Sequence, residues 1–406
     1  MARKSKQKSW LRFRHRVVRN IAYMILYPYS KIKYGITIEK FKSKKNTPYL
    51  ILLNHQTPFD QFFVGMSFKG AVYYLATEDI FSNGWVSSLI KWLVAPIPIK
   101  KQAGDVAAVK NCIRVAREGG TICIAPEGNR TYSGKTEYMS DAIAPLARKL
   151  KLPIALYRIE GGYGAEPRWS DVVRRGKMRS YVLRVIEPQE YANMTDDELF
   201  DAIEKGLYVN EAVADGEFHH KKRAEYLERA IYVCPYSGLS KFESHNATIE
   251  CKNCGIQIEY QPNKELKGIG FDFKFQFVND WYEYQKDFIN ALDTDKYIDA
   301  AIYHDTAQLS QVIIREKKIL LRKAAGIALY GDRIVIDEGA PDQMVLPFAQ
   351  ISVIAVLGRN KLNIYFGDKV YQFKGDKRFN ALKYVNIYYR RKNQIKGEVY
   401  GQFLGL

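Results

Sequence analysis

The chain has 406 residues, 47% apolar and 13% aromatic, enough for two or three domains with real cores and too much for wholesale disorder. Its net charge is +18, but residues 1–50 alone hold 14 Lys and Arg against the single acid Glu39, so most of the excess is an N-terminal property that calls for an anionic partner, membrane or nucleic acid. Five cysteines, an odd number with no secretory signal in view, speak against a disulfide framework and for a reducing, cytosolic setting.

The first predicted element is a helix. From Trp10, the residues Phe13, Val17, Ile21 and Met24 share one face while Arg12, Arg16 and Arg19 fall opposite, and Pro28 ends the pattern. Two readings fit: a helix lying in a lipid interface with its arginines at anionic headgroups, or one packed on its own domain with a solvated basic face. The basic lead ARKSKQK tilts the balance to the membrane; an Arg-rich transit peptide is a third option. The longest apolar run here, IAYMILYPY at 21–29, is far short of the roughly 20 residues of a span. The expectation is a peripheral protein on the cytoplasmic face of a membrane, with residues 1–30 as its binding helix.

Residues 47–184 alternate short apolar runs with amphipathic stretches, as in an α/β domain with a mostly parallel sheet and flanking helices. Predicted strands are YLILLN (49–54), AVYYLAT (71–77), TICIAPEG (121–128), PIALYRI (153–159) and MRSYVLRVIEP (178–188). Helices are expected over PFDQFFVGMSF, SSLIKWLV, residues 104–120 and SDAIAPLARKL, and an acid-rich helical segment over 195–218 opens with a Thr195/Glu198 capping box. This domain is set at 31–225. A short, Cys-bearing, turn-rich segment follows (226–262), then a linker with a strand and an aromatic helix (263–296). Roughly seven short strands and a terminal helix (297–406) suggest a small antiparallel barrel or sandwich.

Three stretches of the first domain carry candidate chemistry. In NHQTPFD, His55 follows a buried strand and Thr57, Pro58 and Asp60 read as N-cap, N1 and N3 of the next helix. Asp60 is then either half of a capping box, or a carboxylate that fixes the His55 tautomer and makes a general base for a hydroxyl nucleophile. In APEGNRT, Glu127, Gly128, Asn129 and Arg130 follow another buried strand, where open α/β sheets bind ligands. Arg130 suits bidentate phosphate recognition, and Glu127 suits a polyol hydroxyl or the arginine itself; a plain turn with a surface ion pair is the alternative. PIPIKK adds Lys100 and Lys101, which equally fit a solvated pair.

In this order NHQTPFD, PIPIKK, APEGNRT and KLPIALYRI resemble the four blocks of the glycerolipid acyltransferases, specifically the 1-acyl-glycerol-3-phosphate acyltransferase family, over about residues 45–190. The resemblance implies acyl transfer from a thioester, acyl-CoA or acyl carrier protein, to the free hydroxyl of lysophosphatidic acid or a related lysophospholipid, giving phosphatidic acid in the first case. It implies His55 as base, Asp60 as its orienting partner, and Glu127, Gly128, Arg130, Lys101 and Asn129 at the glycerol-phosphate site. It calls for no cofactor and no covalent acyl-enzyme. Lys101 stands where the family usually has arginine and Asn129 where threonine is common, so the headgroup is open. Cys112 and Cys123 read as small core residues.

CPYSG and CKNCG resemble a zinc ribbon with Ser237 in place of one of four cysteines. Cys234, Cys251 and Cys254 remain as ligands, with His245 or water to complete a structural zinc site; a degenerate ribbon without metal is the alternative. The last hundred residues are similar in pattern to a pleckstrin-homology-like domain, with a basic cluster at Lys317, Lys318, Arg322 and Lys323 that meets lipid headgroups or is simply solvated. Two further function classes stand beside the enzyme: a non-catalytic membrane-surface lipid-binding or adaptor protein, and a nucleic-acid binder. The second is disfavoured because the charge is concentrated at the N-terminus and CKNCG is followed by the unbasic IQIEYQP.

Overall fold

Leu50, Ile51, Leu52 and Leu53 are all buried, as in a strand covered on both faces at the middle of a parallel sheet. The computed structural model describes residues 9–81, 85–99, 105–313 and 317–398. It divides into two compact units, one of Met1–Gly128, Met139–Glu160 and Met178–Val209, the other of Asn129–Tyr138, Gly161–Lys177 and Asn210–Leu406. These units cut the chain differently from the linear boundaries read in the sequence.

The first unit has seven strands, β1 (Ile36–Ile38), β2 (Leu50–Leu53), β3 (Val72–Thr77), β4 (Ile97–Ile99), β5 (Thr121–Ile124), β6 (Ile154–Glu160) and β7 (Met178–Ile186), in the order β1-β7-β6-β2-β5-β3-β4. Every pairing is parallel except β6 with β7, so the expected mostly parallel α/β architecture is present. Helices α1 (Phe13–Tyr34), α2 (Asp60–Ser67), α3 (Trp85–Val94), α4 (Val106–Arg117) and α5 (Ile143–Leu150) and a further helix, Asp196–Leu207, accompany the strands. The Asp105 carboxylate caps α4, accepting from Ala107 N and Ala108 N. The Thr195/Glu198 capping box is formed, but its helix stops at Leu207 rather than running on to 218. There the Arg158 guanidinium donates to the carbonyls of Gly206 and Tyr208 at 2.9 and 3.0 Å, taking up acceptors that a longer helix would have used.

α1 departs from expectation in two ways. It runs through Pro28 and ends at Gly35, whose φ of 63° and N–H bond to Lys31 O close it in the left-handed conformation. Pro28 lies on an exposed side, where water can serve the carbonyl that loses its donor, so the helix tolerates it. The second difference is from the reading in which the apolar stripe packs on its own domain: Phe13 is 80% exposed, Met24 69% and Ile32 84%, while His15, Ser30 and Tyr34 are buried. Polar groups dock the helix. His15 Nδ1 lies 3.0 Å from the Tyr73 hydroxyl, Arg19 donates to the carbonyls of Gly65 and Phe68, and just upstream Trp10 Nε1 donates to Ala95 O at 2.9 Å.

The second unit begins with a small hairpin, β8 (Val233–Cys234) with β9 (Gly238–Leu239), and an antiparallel sheet of β10 (Phe242–His245), β11 (Thr248–Cys251), β12 (Gln257–Tyr260) and β13 (Leu266–Gly268). A helix, Val278–Ala291, follows. Residues 271–277, expected as a strand, form none: Phe271, Phe273 and Phe275 pack edge to face on one another, and Phe273 sits on Trp281 at 5.0 Å, so their burial comes from the helix. Then β14 (Tyr303–Ile313), β15 (Lys317–Leu329), β16 (Arg333–Ile336), β17 (Met344–Pro347), β18 (Ile351–Leu357), β19 (Lys361–Phe366) and β20 (Lys369–Gly375) form one curled antiparallel sheet, β17-β16-β15-β14-β20-β19-β18, followed by the helix Leu382–Lys396. Among the described residues its edge strands β17 and β18 do not pair, so it is an open half-barrel. Cys234, Ile249, Trp281, Leu309, Ile364 and Tyr388 belong to one apolar cluster, so ribbon, middle helix and terminal sheet share a core. In the basic cluster, Arg322 is paired with Asp337 and Asp342.

Burial first, and the positive charges of Arg14 and Arg12 next, hold His15 below its ordinary value. A histidine with a lowered folded pKa contributes stability above the unfolded value of about 6.5 and loses it as pH falls through the folded value. Amide protection of residues 13–34, corrected for intrinsic exchange, is therefore expected to drop between about pH 7.5 and about pH 5.5, and His15→Phe should remove that dependence. Equal protection at both pH values would take His15 out of the docking.

Candidate active site

β2 ends at Leu53 and the chain leaves the sheet at Asn54, whose side chain continues the ladder. Its Nδ2 donates to Ile159 O and its Oδ1 accepts from Ile159 N, both at 2.8 Å. An amide that imitates a peptide group lets the backbone turn away without leaving β6 unpaired. The next residues wrap around one carboxylate. Asp60, fully buried, accepts from Gln56 N at 2.6 Å, Thr57 N at 3.0 Å, the Thr57 hydroxyl at 2.7 Å and His55 Nδ1 at 2.7 Å. Thr57 Oγ1 in turn accepts from Phe59 N at 3.1 Å. The bond from Thr57 N to Asp60 is one half of the capping box read in the sequence; the other half is not formed, since Thr57 Oγ1 accepts from Phe59 N instead of Asp60 N, and the regular helix starts only at Asp60.

A carboxylate accepts and does not donate, so the bond to Asp60 puts the proton of a neutral His55 on Nδ1 and the lone pair on Nε2. The His55 side chain is 26% exposed against 1% for Asp60: the orienting group is shut in and the imidazole reaches solvent. On the other side, Glu127 Oε1 accepts from His55 N at 2.9 Å. Glu127 follows β5, the neighbour of β2, in a turn where Gly128 N donates to Ala125 O at 3.0 Å and Gly128 has φ of 72°. A side chain at Gly128 would have space but would strain that left-handed backbone.

His55, Asp60 and Glu127 are thus brought together within the first unit. Asn129 and Arg130 follow Gly128 in the chain and belong to the second unit, where Arg130 O accepts from Arg168 at 2.9 Å. Lys100 and Lys101 lie outside the described residues. Asn54 and the bond from Glu127 to the His55 backbone were missed in the sequence; the signal for Asn54 is a polar residue ending a fully buried strand. Burial pushes Cys112 up to about 12 and Cys123 higher still, which keeps both as neutral core thiols.

In the second unit the sulfurs of Cys234, Cys251 and Cys254 lie within 4.8 Å of one another. Burial pushes the Cys234 thiol up to about 11. Burial also works against the Cys251 thiolate, but bonds from Ser237 and from the backbone of Cys254 and Asn253 bring that thiol down to about 7. His245 is not part of this group: its side chain is 63% exposed beside Glu243.

Residues 35–158 match the acyltransferase family model. The likeness to that family lies in this segment, under a third of the chain. It is 21% identical over 173 residues to the 1-acyl-sn-glycerol-3-phosphate acyltransferase of Bacillus subtilis, a match covering 41% of this chain and 83% of that protein. It is 23% identical over 184 residues to the chloroplastic 1-acyl-sn-glycerol-3-phosphate acyltransferase LPAT1 of Arabidopsis thaliana, covering 43% of this chain and 49% of that one, so it spans about half of the plant relative. Among solved structures, the 1-acyl-sn-glycerophosphate acyltransferase PlsC of Thermotoga maritima superposes with a TM-score of 0.38 at 20% identity, over 48% of this chain and 75% of that one. The acyltransferase match lies almost wholly in the parallel-sheet unit and contains His55, Asp60 and Glu127.

Asp60→Asn keeps one acceptor oxygen and adds a donor inside a loop already full of donors. Its urea unfolding midpoint is expected to fall by the equivalent of roughly 1–3 kcal/mol, and that of His55→Ala, with its partly exposed ring, by less. Equal shifts would mean that Asp60 does not hold the loop.

Proposed function

We propose that the protein transfers a fatty acyl group from an acyl thioester, acyl-CoA or acyl carrier protein, to the free hydroxyl of lysophosphatidic acid or a related lysophospholipid. The observation that carries this reading is the His55–Asp60 pair, with a buried carboxylate on Nδ1 and a partly exposed ring, in a segment of the acyltransferase family. In this reaction His55 Nε2 takes the hydroxyl proton as the oxygen attacks the thioester carbonyl carbon. The C–S bond then breaks, and the thiolate leaving group takes back the proton from the imidazolium. Asp60 fixes the ring and faces the positive charge that develops on it. Glu127, Gly128, Asn129, Arg130 and Lys101 bind the glycerol phosphate; the amide of Asn129 and the ammonium of Lys101 replace the hydroxyl and guanidinium usual in the family. The chemistry uses no metal or redox cofactor, and a zinc at the cysteines would be structural.

The reaction takes place at a membrane surface in this reading, on the cytoplasmic face and without nucleic acid. Among the described residues no helix is long and apolar enough to cross a membrane. Support comes from α1 and α3, whose exposed side chains include Phe13, Met24, Ile25, Trp85 at 77% and Trp92 at 55%. The helices touch through Arg14, which donates to Trp92 O and lies over the Trp92 ring at 5.2 Å. α1 also reaches the site loop, Tyr29 and Tyr34 packing on Phe59. An apolar surface of this kind next to Lys33 and Arg16 suits an anionic bilayer. The strand count and terminal helix of the second unit support a pleckstrin-homology-like ligand-binding module.

Labelled acyl-CoA and acyl carrier protein, offered with lysophosphatidic acid and other lysolipids, are expected to give diacyl product with the wild type. His55→Ala should lose about 10²–10⁴-fold in rate. No product with any pair tried would favour the non-catalytic lipid-binding protein, and equal rates would take His55 out of the mechanism. In a flotation assay with vesicles rich in phosphatidylglycerol, Ile25→Glu with Trp92→Glu should weaken binding about tenfold or more; undiminished binding would move the membrane contact elsewhere.

A further inference from the structure

The ribbon contains the same five-residue turn twice. Cys234-Pro-Tyr-Ser-Gly and Cys251-Lys-Asn-Cys-Gly each leave a strand at a buried cysteine and end on a glycine in the left-handed conformation, Gly238 at φ 70° and Gly255 at φ 77°. Gly255 N closes the second turn on Cys251 O at 2.9 Å, and Tyr236 N in the first points at Cys234 Sγ at 3.5 Å. Backbone N–H groups aimed at the first sulfur, and a fourth residue folded back toward it, form half of a tetrahedral site. Two such turns facing one another form a whole one.

The side chains converge as that geometry requires. Cys234 Sγ and Cys254 Sγ, from opposite turns, are 3.6 Å apart, and Ser237 Oγ is 3.4 Å from Cys251 Sγ. A tetrahedral cation with metal–sulfur bonds near 2.3 Å and a metal–oxygen bond near 2.1 Å separates its ligands by about 3.8 Å between sulfurs and about 3.6 Å between sulfur and oxygen. Ser237 occupies in the first turn the position that Cys254 occupies in the second. His245 does not compete for the fourth corner. In the β10–β11 register Cys251 faces Phe242 and His245 faces Thr248, three residues or about 10 Å further along. Phe242 and Ser244 are the buried side of β10, so His245 is on the other face.

The geometry points to a three-thiolate, one-hydroxyl site for a single zinc-class cation, held by Cys234, Cys251, Cys254 and Ser237. The hydroxyl is the weak ligand, so the ion is structural and more easily released than from a four-cysteine ribbon. What it pins is the first turn, which otherwise rests on the two-residue strands β8 and β9 and on the helix Val278–Ala291, where Trp281 Nε1 donates to Val233 O and Gln285 Oε1 accepts from Tyr232 N and Val233 N. This inference is independent of the acyl-transfer reading.

The test uses the full chain purified under reducing conditions with added zinc and then gel-filtered. Elemental analysis is expected to find about one zinc per chain, lost in Cys254→Ala, whose exposed side chain leaves the core intact. Cobalt substitution should give the visible bands of a tetrahedral ion and the near-ultraviolet band of thiolate ligation. Ser237→Cys should slow release of zinc to a chelator by roughly tenfold or more, and Ser237→Ala should speed it. No zinc together with no cobalt spectrum would overturn the site. Release rates equal in wild type and both Ser237 variants would overturn the fourth ligand. A Cys234–Cys254 disulfide found by mass spectrometry in the purified protein would replace the metal by a redox bridge.

Discussion

The first unit turns on one buried carboxylate. Taking a carboxylate out of water is tolerable only where donors replace its hydration, and the loop after β2 supplies them from its own backbone, a threonine hydroxyl and an imidazole. The helix start, the shape of the loop and the tautomer of His55 are therefore one arrangement rather than three. The bond from its backbone N–H to Glu127 ties the histidine to the sheet a second time.

That bond also relates two strands. β2 and β5 are neighbours, and the loops after them meet at His55 and Glu127, in the crevice beyond the carboxyl ends of a parallel sheet where side chains from several connections can gather. Asn54 performs the matching task toward β6. The His55 position is thus held from both sides by side chains that act as extensions of the sheet.

Much of this was legible in the sequence, for reasons that can be given residue by residue. Fully apolar runs such as Leu50–Leu53 announce buried strands, and the five-residue step from His55 to Asp60 brings loop and helix together locally. Glu127 is 72 positions away from His55, and no local pattern reports a contact of that kind. Helical periodicity showed that α1 has two faces but not which of them meets the protein; buried His15 and half-buried Arg19 decided it, and those are residues that a hydrophobicity argument assigns to water. Phe271, Phe273 and Phe275 alternate as a strand does, yet their partners are rings on a helix rather than a second strand. Cys254 and Ser237 matched in position because the two turns repeat in the chain itself.

The division of the chain has a consequence for how the molecule is made. The backbone passes between the two units after Gly128, Tyr138, Glu160, Lys177 and Val209, so two segments of the second unit are synthesised before most of that unit exists. As the polypeptide emerges, residues 129–138 and 161–177 have to wait for partners well over a hundred positions downstream, such as Glu283 for Lys135 and Arg359 for Glu166. Contacts of such long sequence separation form late and leave apolar surface open meanwhile. Vectorial synthesis therefore makes the whole of the first unit available once Val209 has been translated, and completes the second only after the ribbon and the last sheet have followed.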